Sequence, residues 1–321
     1  MNRYVESREN GRIDLAASAP LPKPLAIYIE PTNICNFGSQ CFFCPQHLPD
    51  YSKRAGYHQH ITMPIVHKVI DDIEAMGGVK SIKLHLQGEG TLHPQIGEIA
   101  RLACTVSGDV LLTTNGSRLD AKKSQELIEA GLHFIRISIY EETKPSVQSS
   151  ILENVRTLRE LRDAQGKSSP HIVAKWLSNN PSFGEWIKES YSDIADEFLF
   201  EGMRGVASAF IPAASLTTMT DNLTGDQVAC TLPFYQMIIK ANGDVAPCCQ
   251  SWNQDMHLGN VMEDSLLDIW HGDVLAYLRI THLKGLRKTI PTCSSCDALW
   301  TNKDSIDTLS AEEYERRRKS L

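Results

Sequence analysis

The stretch ICNFGSQCFFCP holds three cysteines in ten residues, Cys35, Cys41 and Cys44. A 4Fe–4S cubane has four irons and each needs a ligand, so three thiolates leave one iron open to a substrate or cofactor. A structural zinc ion is the alternative, with His47 close behind Cys44 completing a Cys3His set. Spacing by itself leaves both open.

The chain has six further cysteines, Cys104 and a C-terminal five at Cys230, Cys248, Cys249, Cys293 and Cys296. Cysteines clustered in this way point to metal or redox chemistry rather than to disulfides, and to a reducing, cytoplasmic setting. MIIKANGDVAPC reads as a β-hairpin, with a β-branched run, an Asn-Gly turn and a second strand. Cys230 and Cys248 bracket that hairpin, and Cys293 and Cys296 follow a helix near SLLDIWHG. Paired cysteines around a knuckle hairpin suit a zinc ribbon as well as a cluster. Cys104 in IARLACTV lies at apolar helical spacing and reads as a small core residue.

The elements that must position these groups alternate short β-rich runs with helical patterns, the mark of βα units around a parallel sheet. Strands are predicted at 25–30, 81–87, 109–114, 134–140, 171–177 and 196–202, and helices near 63–76, 95–105, 120–130, 147–164 and 183–190. MPIVHKVIDDIEAMGG shows apolar spacing of three and four and ends on a Gly pair suited to a C-cap. Six strands are too few for a closed eightfold barrel. The fold class is therefore α/β, a six-unit partial (β/α)6 TIM-type barrel with active residues at the C-terminal ends of its strands.

The three clustered cysteines begin five residues after the first strand, at that active end. LQGEGTLHP puts a turn after strand two, where backbone groups and the Glu89 carboxylate could grip an ammonium and its neighbouring carboxylate. TTNGSRL ends strand three on an Asn-Gly turn. Ser138, at the end of strand four, offers a hydroxyl to a ribose. Four successive strand ends thus carry polar groups suited to one amino-acid nucleoside.

In this order of parts the sequence resembles the radical S-adenosylmethionine (SAM) enzymes, over roughly residues 25 to 200. The resemblance implies that Cys35, Cys41 and Cys44 ligate a 4Fe–4S cluster whose open iron chelates the amino and carboxylate groups of the cofactor. Gly88 and Glu89 would bind the methionine amino end, Ser138 would sit near the ribose, and Lys175 on strand five would complete the pocket. Phe43 stands just before the last cysteine, as is common in the family. Two departures stand out. Five residues separate Cys35 from Cys41 where three are usual, with the extra pair in NFGSQ expected to loop outward, and the turn is Gln-Gly-Glu where Gly-Gly-Glu is common.

The C-terminal cysteines resemble the family's shortened SPASM-like (twitch) auxiliary domain, a β-hairpin plus helix. By that resemblance Cys230, Cys248, Cys293 and Cys296 ligate a second 4Fe–4S cluster, and the layout becomes an arm at 1–24, the barrel at 25–202, a linker at 203–226, the auxiliary domain at 227–300 and a charged, solvated helix at 301–321. Cys249 is then spare. Neighbouring strand residues face opposite ways, so if Cys248 faces the cluster, Cys249 can face the barrel mouth; the alternatives are that Cys249 is the ligand or an idle neighbour. A thiol there could return a hydrogen atom to a carbon radical from the opposite face, which is epimerisation. Without that donor the radical would lose an electron and a proton, which is dehydrogenation. The resemblance is strongest to aminoglycoside-tailoring members.

Composition limits the remaining choices. A net charge of −7 without a long basic run argues against a nucleic-acid ligand and favours a cationic small molecule such as an aminoglycoside. No apolar run is long enough for a membrane span, and the charged start MNRYVESRENGRIDL does not suit a secretory signal. Residues 1–24 are short for a leader-binding module, which lowers a ribosomal-peptide maturase; a zinc-binding interaction module is the non-enzymatic alternative. An external reductant such as flavodoxin or ferredoxin is implied. Glu201, Asp221, Asp226 and Asp255 are acidic candidates near the domain junction.

Overall fold

The computed structural model describes residues 13–38, 41, 44–178, 180–201, 228–294, 296 and 305–320. Its strands are β1 (Ala26–Ile29), β2 (Ser81–Leu84), β3 (Val110–Thr114), β4 (Phe134–Tyr140), β5 (His171–Leu177), β6 (Glu197–Glu201), β7 (Gln236–Ile239), β8 (Asp244–Ala246) and β9 (Gly259–Asn260). Between the first six run the helices α1 (Met63–Ala75), α2 (Ile96–Val106), α3 (Ala121–Glu129), α4 (Pro145–Ala164) and α5 (Pro181–Ser190). Beyond the sheet lie α6 (Leu266–His271), α7 (Asp273–Leu283) and α8 (Ala311–Arg318).

The sheet order is β6-β5-β4-β3-β2-β1-β7-β8-β9, with β1 to β6 mutually parallel. The fold is the expected α/β partial barrel. β7 pairs in parallel with the free edge of β1, Tyr28 opposite Ile238, so the C-terminal hairpin extends the barrel sheet. The hairpin closes as the Asn-Gly signal requires, with Ile239 opposite Val245 and Gly243 at φ 89°.

Side chains alternate across the strands. Ile27, Ile29, Ile82, Leu84, Leu112, Ile135 and Ile137 share a fully buried core with the helices, whereas Tyr28, Lys83, Thr113, Arg136, Ser138 and Lys175 take the opposite face. α1 shows how the sequence writes this packing: Ile65, Val66, Val69, Ile70 and Ile73 are all buried. After α1, Gly77 and Gly78 adopt φ 71° and 79°, and the Lys23 ammonium donates to the carbonyls of Met76 and Gly78 at 2.7 Å each.

Three local expectations change. β2 ends at Leu84 rather than at 87, because the amides of Gln87 and Glu89 turn to other partners, Glu30 and the Ile34 carbonyl. The C-terminal helix is not simply solvated: Ala311 and Tyr314 share one face and are buried, and the Arg279 guanidinium donates to the Tyr314 hydroxyl at 3.1 Å. Cys104 is only half-buried, with its thiol 3.4 Å from the Gly131 carbonyl, and it joins neither cysteine group. The 203–226 linker lies outside the described residues.

Candidate active site

The loop after β1 has little regular structure, so side-chain amides fasten it. Asn33 donates to the Tyr57 carbonyl at 2.7 Å and accepts from the Gln59 amide at 2.9 Å. Gln46 donates to the carbonyls of Asn33 and Gln87 at 2.6 and 2.9 Å, tying the segment after Cys44 to the turn after β2. Asn36 is held by Asn115 and Ser117 at the end of β3, at 3.0 and 2.8 Å.

Cys35, Cys41 and Cys44 stand on this loop. Burial, aided by mutual repulsion at the first two, pushes their thiols up to about 12, about 12 and about 11. Such a pocket disfavours thiolate until a cation enters, which is what a cluster's iron supplies. His47, in contrast, is exposed, whereas Cys41 is buried and Cys35 and Cys44 are partly so. Phe43 and two residues of the NFGSQ insertion lie outside the described residues.

Gly88 is at its position by necessity. A Cβ there would fall 2.1 Å from the Thr32 carbonyl oxygen and 2.8 Å from that of Ile34, so the turn after β2 lies directly on the cysteine loop. The neighbouring Glu89 is buried, and its carboxylate accepts from four donors: the Thr91 amide (2.9 Å), the Thr91 and Thr114 hydroxyls (2.6 Å each) and the Asn115 amide (2.7 Å). It therefore joins the ends of β2 and β3 as well as bordering the cysteine loop.

Ser138 and Lys175 are register partners on β4 and β5. Lys175, Lys83 and Arg136 surround His85, whose imidazole burial and these charges keep neutral. The His85 ring meets Tyr28 edge-on at 5.4 Å, and the Lys83 ammonium donates to the Tyr28 hydroxyl at 3.0 Å. The barrel face is thus cationic here. The chain's overall negative charge gives no guide to it.

In the C-terminal half, Cys230, Cys248, Cys293 and Cys296 line one cavity, open to solvent in part, whose walls include Leu232 and Met256. Burial pushes Cys230 and Cys293 up to about 12 and holds Cys248 well above the ordinary thiol value. Among the described residues no three Cys, His, Asp or Glu side chains close on a single metal ion. A cubane spreads its thiolates around a body several ångströms across, so the two observations are compatible.

Cys249 does not line that cavity. Its carbonyl accepts from the Gln87 carboxamide at 3.2 Å, and its thiol, raised to about 11 by burial and next by the Cys296 thiol of the cavity, also feels the Lys83 charge on the barrel face. Alongside, Tyr51 stacks on Trp252 at 5.6 Å, and the Ala241 amide donates to buried Glu30 at 3.1 Å. Cys249 therefore stands at the seam between the turn after β2 and the C-terminal cavity. The glutamine that replaces the usual glycine of the turn makes this link, a role the departure from the family pattern could have signalled. Gln46, Asn33, Asn36, Thr114 and Asn115 carried no such signal. Of the acidic candidates, Asp255 accepts from the Thr292 hydroxyl beside the cavity, its carboxyl raised by burial; Asp221, Asp226 and the Glu201 side chain lie outside the described residues.

The sequence matches the Radical SAM superfamily over residues 29–171 and the SPASM iron–sulfur cluster-binding domain over 230–297. It is 23 % identical over 291 residues to an S-adenosyl-L-methionine-dependent 2-deoxy-scyllo-inosamine dehydrogenase of Niallia circulans, covering 90 % of this chain and 96 % of the relative. It is 21 % identical to a tungsten-containing aldehyde ferredoxin oxidoreductase cofactor-modifying protein of Pyrococcus furiosus, covering 85 % and 88 %. The fold is shared with BtrN in complex with AdoMet and 2-DOIA, at a TM-score of 0.58 and 17 % identity over 89 % of this chain and 97 % of that one. No helix among the described residues is long and apolar enough to cross a membrane. The chain thus carries a radical SAM domain over residues 29–171 followed by a SPASM domain over 230–297, and its cofactors are SAM and iron–sulfur clusters.

Proposed function

We propose that this radical SAM enzyme is an epimerase that inverts a sugar carbon of an aminoglycoside, with Cys249 as the hydrogen-atom donor. Cys35, Cys41 and Cys44 hold the 4Fe–4S cluster that binds SAM, and Cys230, Cys248, Cys293 and Cys296 hold a second 4Fe–4S cluster. Gly88, Glu89, Ser138 and Lys175 form the SAM pocket. Glu89 Oε2 accepts one hydrogen bond and so retains a lone pair for the ammonium of the methionine end.

One observation carries the reading: Cys249 is left out of the four-thiol cavity and is tied through Gln87 to the turn after β2. SAM, when bound and reductively cleaved, supplies a 5'-deoxyadenosyl radical that removes a hydrogen atom from the substrate carbon. Cys249 then gives its S–H hydrogen to the opposite face, so a C–H bond forms and the S–H bond breaks. The resulting thiyl takes one electron and one proton to return to thiol. An external one-electron donor of the flavodoxin or ferredoxin class in the cytoplasm supplies the electron. The aminoglycoside assignment rests on the resemblance to tailoring enzymes such as neomycin C epimerase, not on the charge of the barrel face, which is basic.

The second reading is a dehydrogenase acting on an aminocyclitol or sugar alcohol, favoured by the activity named for the Niallia circulans relative. Anaerobic turnover with reductant and candidate aminoglycosides separates the two. Cys249→Ala should keep both clusters and still form 5'-deoxyadenosine with substrate present, yet yield no epimer. In deuterated water the wild-type product should gain one deuterium at the inverted carbon, because a thiol exchanges with solvent. A product two mass units lighter means dehydrogenation, and full epimerisation by the variant means another donor.

A further inference from the structure

His282 is almost wholly buried on α7, where its imidazole touches both halves of the four-thiol cavity. The backbone amide of Cys230 lies 3.1 Å from His282 Nδ1, and the Sγ of Cys293 lies 3.6 Å from Nε2. An amide nitrogen can only donate, so Nδ1 must be the bare acceptor nitrogen and the ring proton must sit on Nε2. That proton points at sulfur. The Arg287 guanidinium donates to the Cys293 carbonyl at 2.6 Å and fixes the backbone of the same residue.

We infer that His282 is a positioning residue that donates a hydrogen bond from Nε2 to the thiolate of Cys293 and thereby raises the reduction potential of the second cluster. The inference rests on the proposal that Cys293 is a cluster ligand. Hydrogen bonds to the sulfurs are among the features that set a cluster's potential, because a donor stabilises the more negative, reduced form. The local design is economical in polar groups: one ring satisfies the Cys230 amide at one edge and a ligand sulfur at the other. A histidine kept only for packing would need neither contact.

The test uses the full chain with Cys35, Cys41 and Cys44→Ala, so that the second cluster alone gives a signal. Removing Cys293 comes first: if Cys293→Ala keeps its four irons and an unchanged spectrum, the ligand assignment falls and this inference with it. Where Cys293 proves to be a ligand, two readings bear on His282. Electron-nuclear double resonance of the reduced cluster in normal and deuterated water should detect an exchangeable proton coupled to it, and the coupling should vanish in His282→Leu. An EPR-monitored titration of that variant should show the reduction equilibrium shifted about tenfold toward the oxidised form, or about 59 mV for one electron. His282→Gln, whose carboxamide can both accept and donate, should keep most of the wild-type potential. The absence of any exchangeable coupling in the parent chain overturns the inference without recourse to a variant that folds poorly. An unmoved potential in a cluster-loaded His282→Leu chain overturns it as well.

Discussion

The two thiol groups are built by opposite means. The N-terminal three stand on a loop with almost no regular structure, held by Asn33, Asn36 and Gln46 and pressed against a glycine, with the buried Glu89 carboxylate beside Cys35. The C-terminal four line a cavity walled by helix and hairpin, with a neutral imidazole and a guanidinium against Cys293. Both surroundings raise thiol pKa by burial. They differ in what lies next to sulfur: a buried carboxylate stands beside Cys35, whereas an imidazole and a guanidinium stand beside Cys293. The contrast teaches that two cysteine groups alike in burial can stand in opposite polar surroundings, which a cysteine count does not reveal.

The sharpest way to break the comparison is to delete one side. Anaerobically reconstituted protein should hold about eight irons, and replacing Cys35, Cys41 and Cys44 by Ala should leave about four and abolish SAM cleavage. Stoichiometric zinc with no iron spectrum in anaerobic protein would sink both clusters.

A smaller change tests whether the N-terminal loop depends on close backbone approach. Gly88→Ala drives a methyl into the Thr32 carbonyl and should cost about 1–3 kcal/mol or more in unfolding experiments, with SAM binding lost. Gly108→Ala is the control, since nothing lies within 4 Å of a Cβ there. Equal effects of the two would mean that the turn yields easily.

Glu89→Gln sharpens the electrostatic half of the contrast. The N-terminal cluster should still assemble, while SAM affinity falls about ten- to a hundredfold, or about 1.5–3 kcal/mol for a charge-assisted hydrogen bond. Stability should also drop by about 1–3 kcal/mol, because the four donors now meet a carboxamide with a single acceptor oxygen. Unchanged SAM affinity with lowered stability would reduce Glu89 to a brace between β2 and β3.

The smallest expected effect concerns the basic barrel face. His85 is held neutral, its folded pKa well below its ordinary value, so below about pH 6.5 the unfolded chain takes up a proton that the folded chain refuses. Its contribution to stability is complete above that pH and is lost progressively as pH falls beneath it. Thermal unfolding at several values between pH 5 and 8 should show this slope, flattened in His85→Gln; identical slopes would mean that other groups govern the acid limb.

Much of the plan was legible in the sequence, because it depends on local chemistry. The Asn-Gly hairpin, the Gly pair after α1, the alternating strands and the grouped cysteines are each determined by residues close in the chain. The six barrel strands fall where the β-rich runs lie, apart from the early end of β2. What the sequence could not determine was every feature that joins distant segments. Gln87 and Cys249 are 162 residues apart, and Asn36 and Ser117 are 81 apart. β7 finds the edge of β1 across more than two hundred residues, and His282 finds Cys230 and Cys293 only once α7 packs against the hairpin. The same holds for charge: a net −7 is a sum over the surface, while the residues facing into the barrel are selected by strand parity and register, which put Lys83, Arg136 and Lys175 together. Propensity and spacing act over a few residues and can be read along the chain; a hydrogen bond between remote loops exists only after the sheet has set their separation.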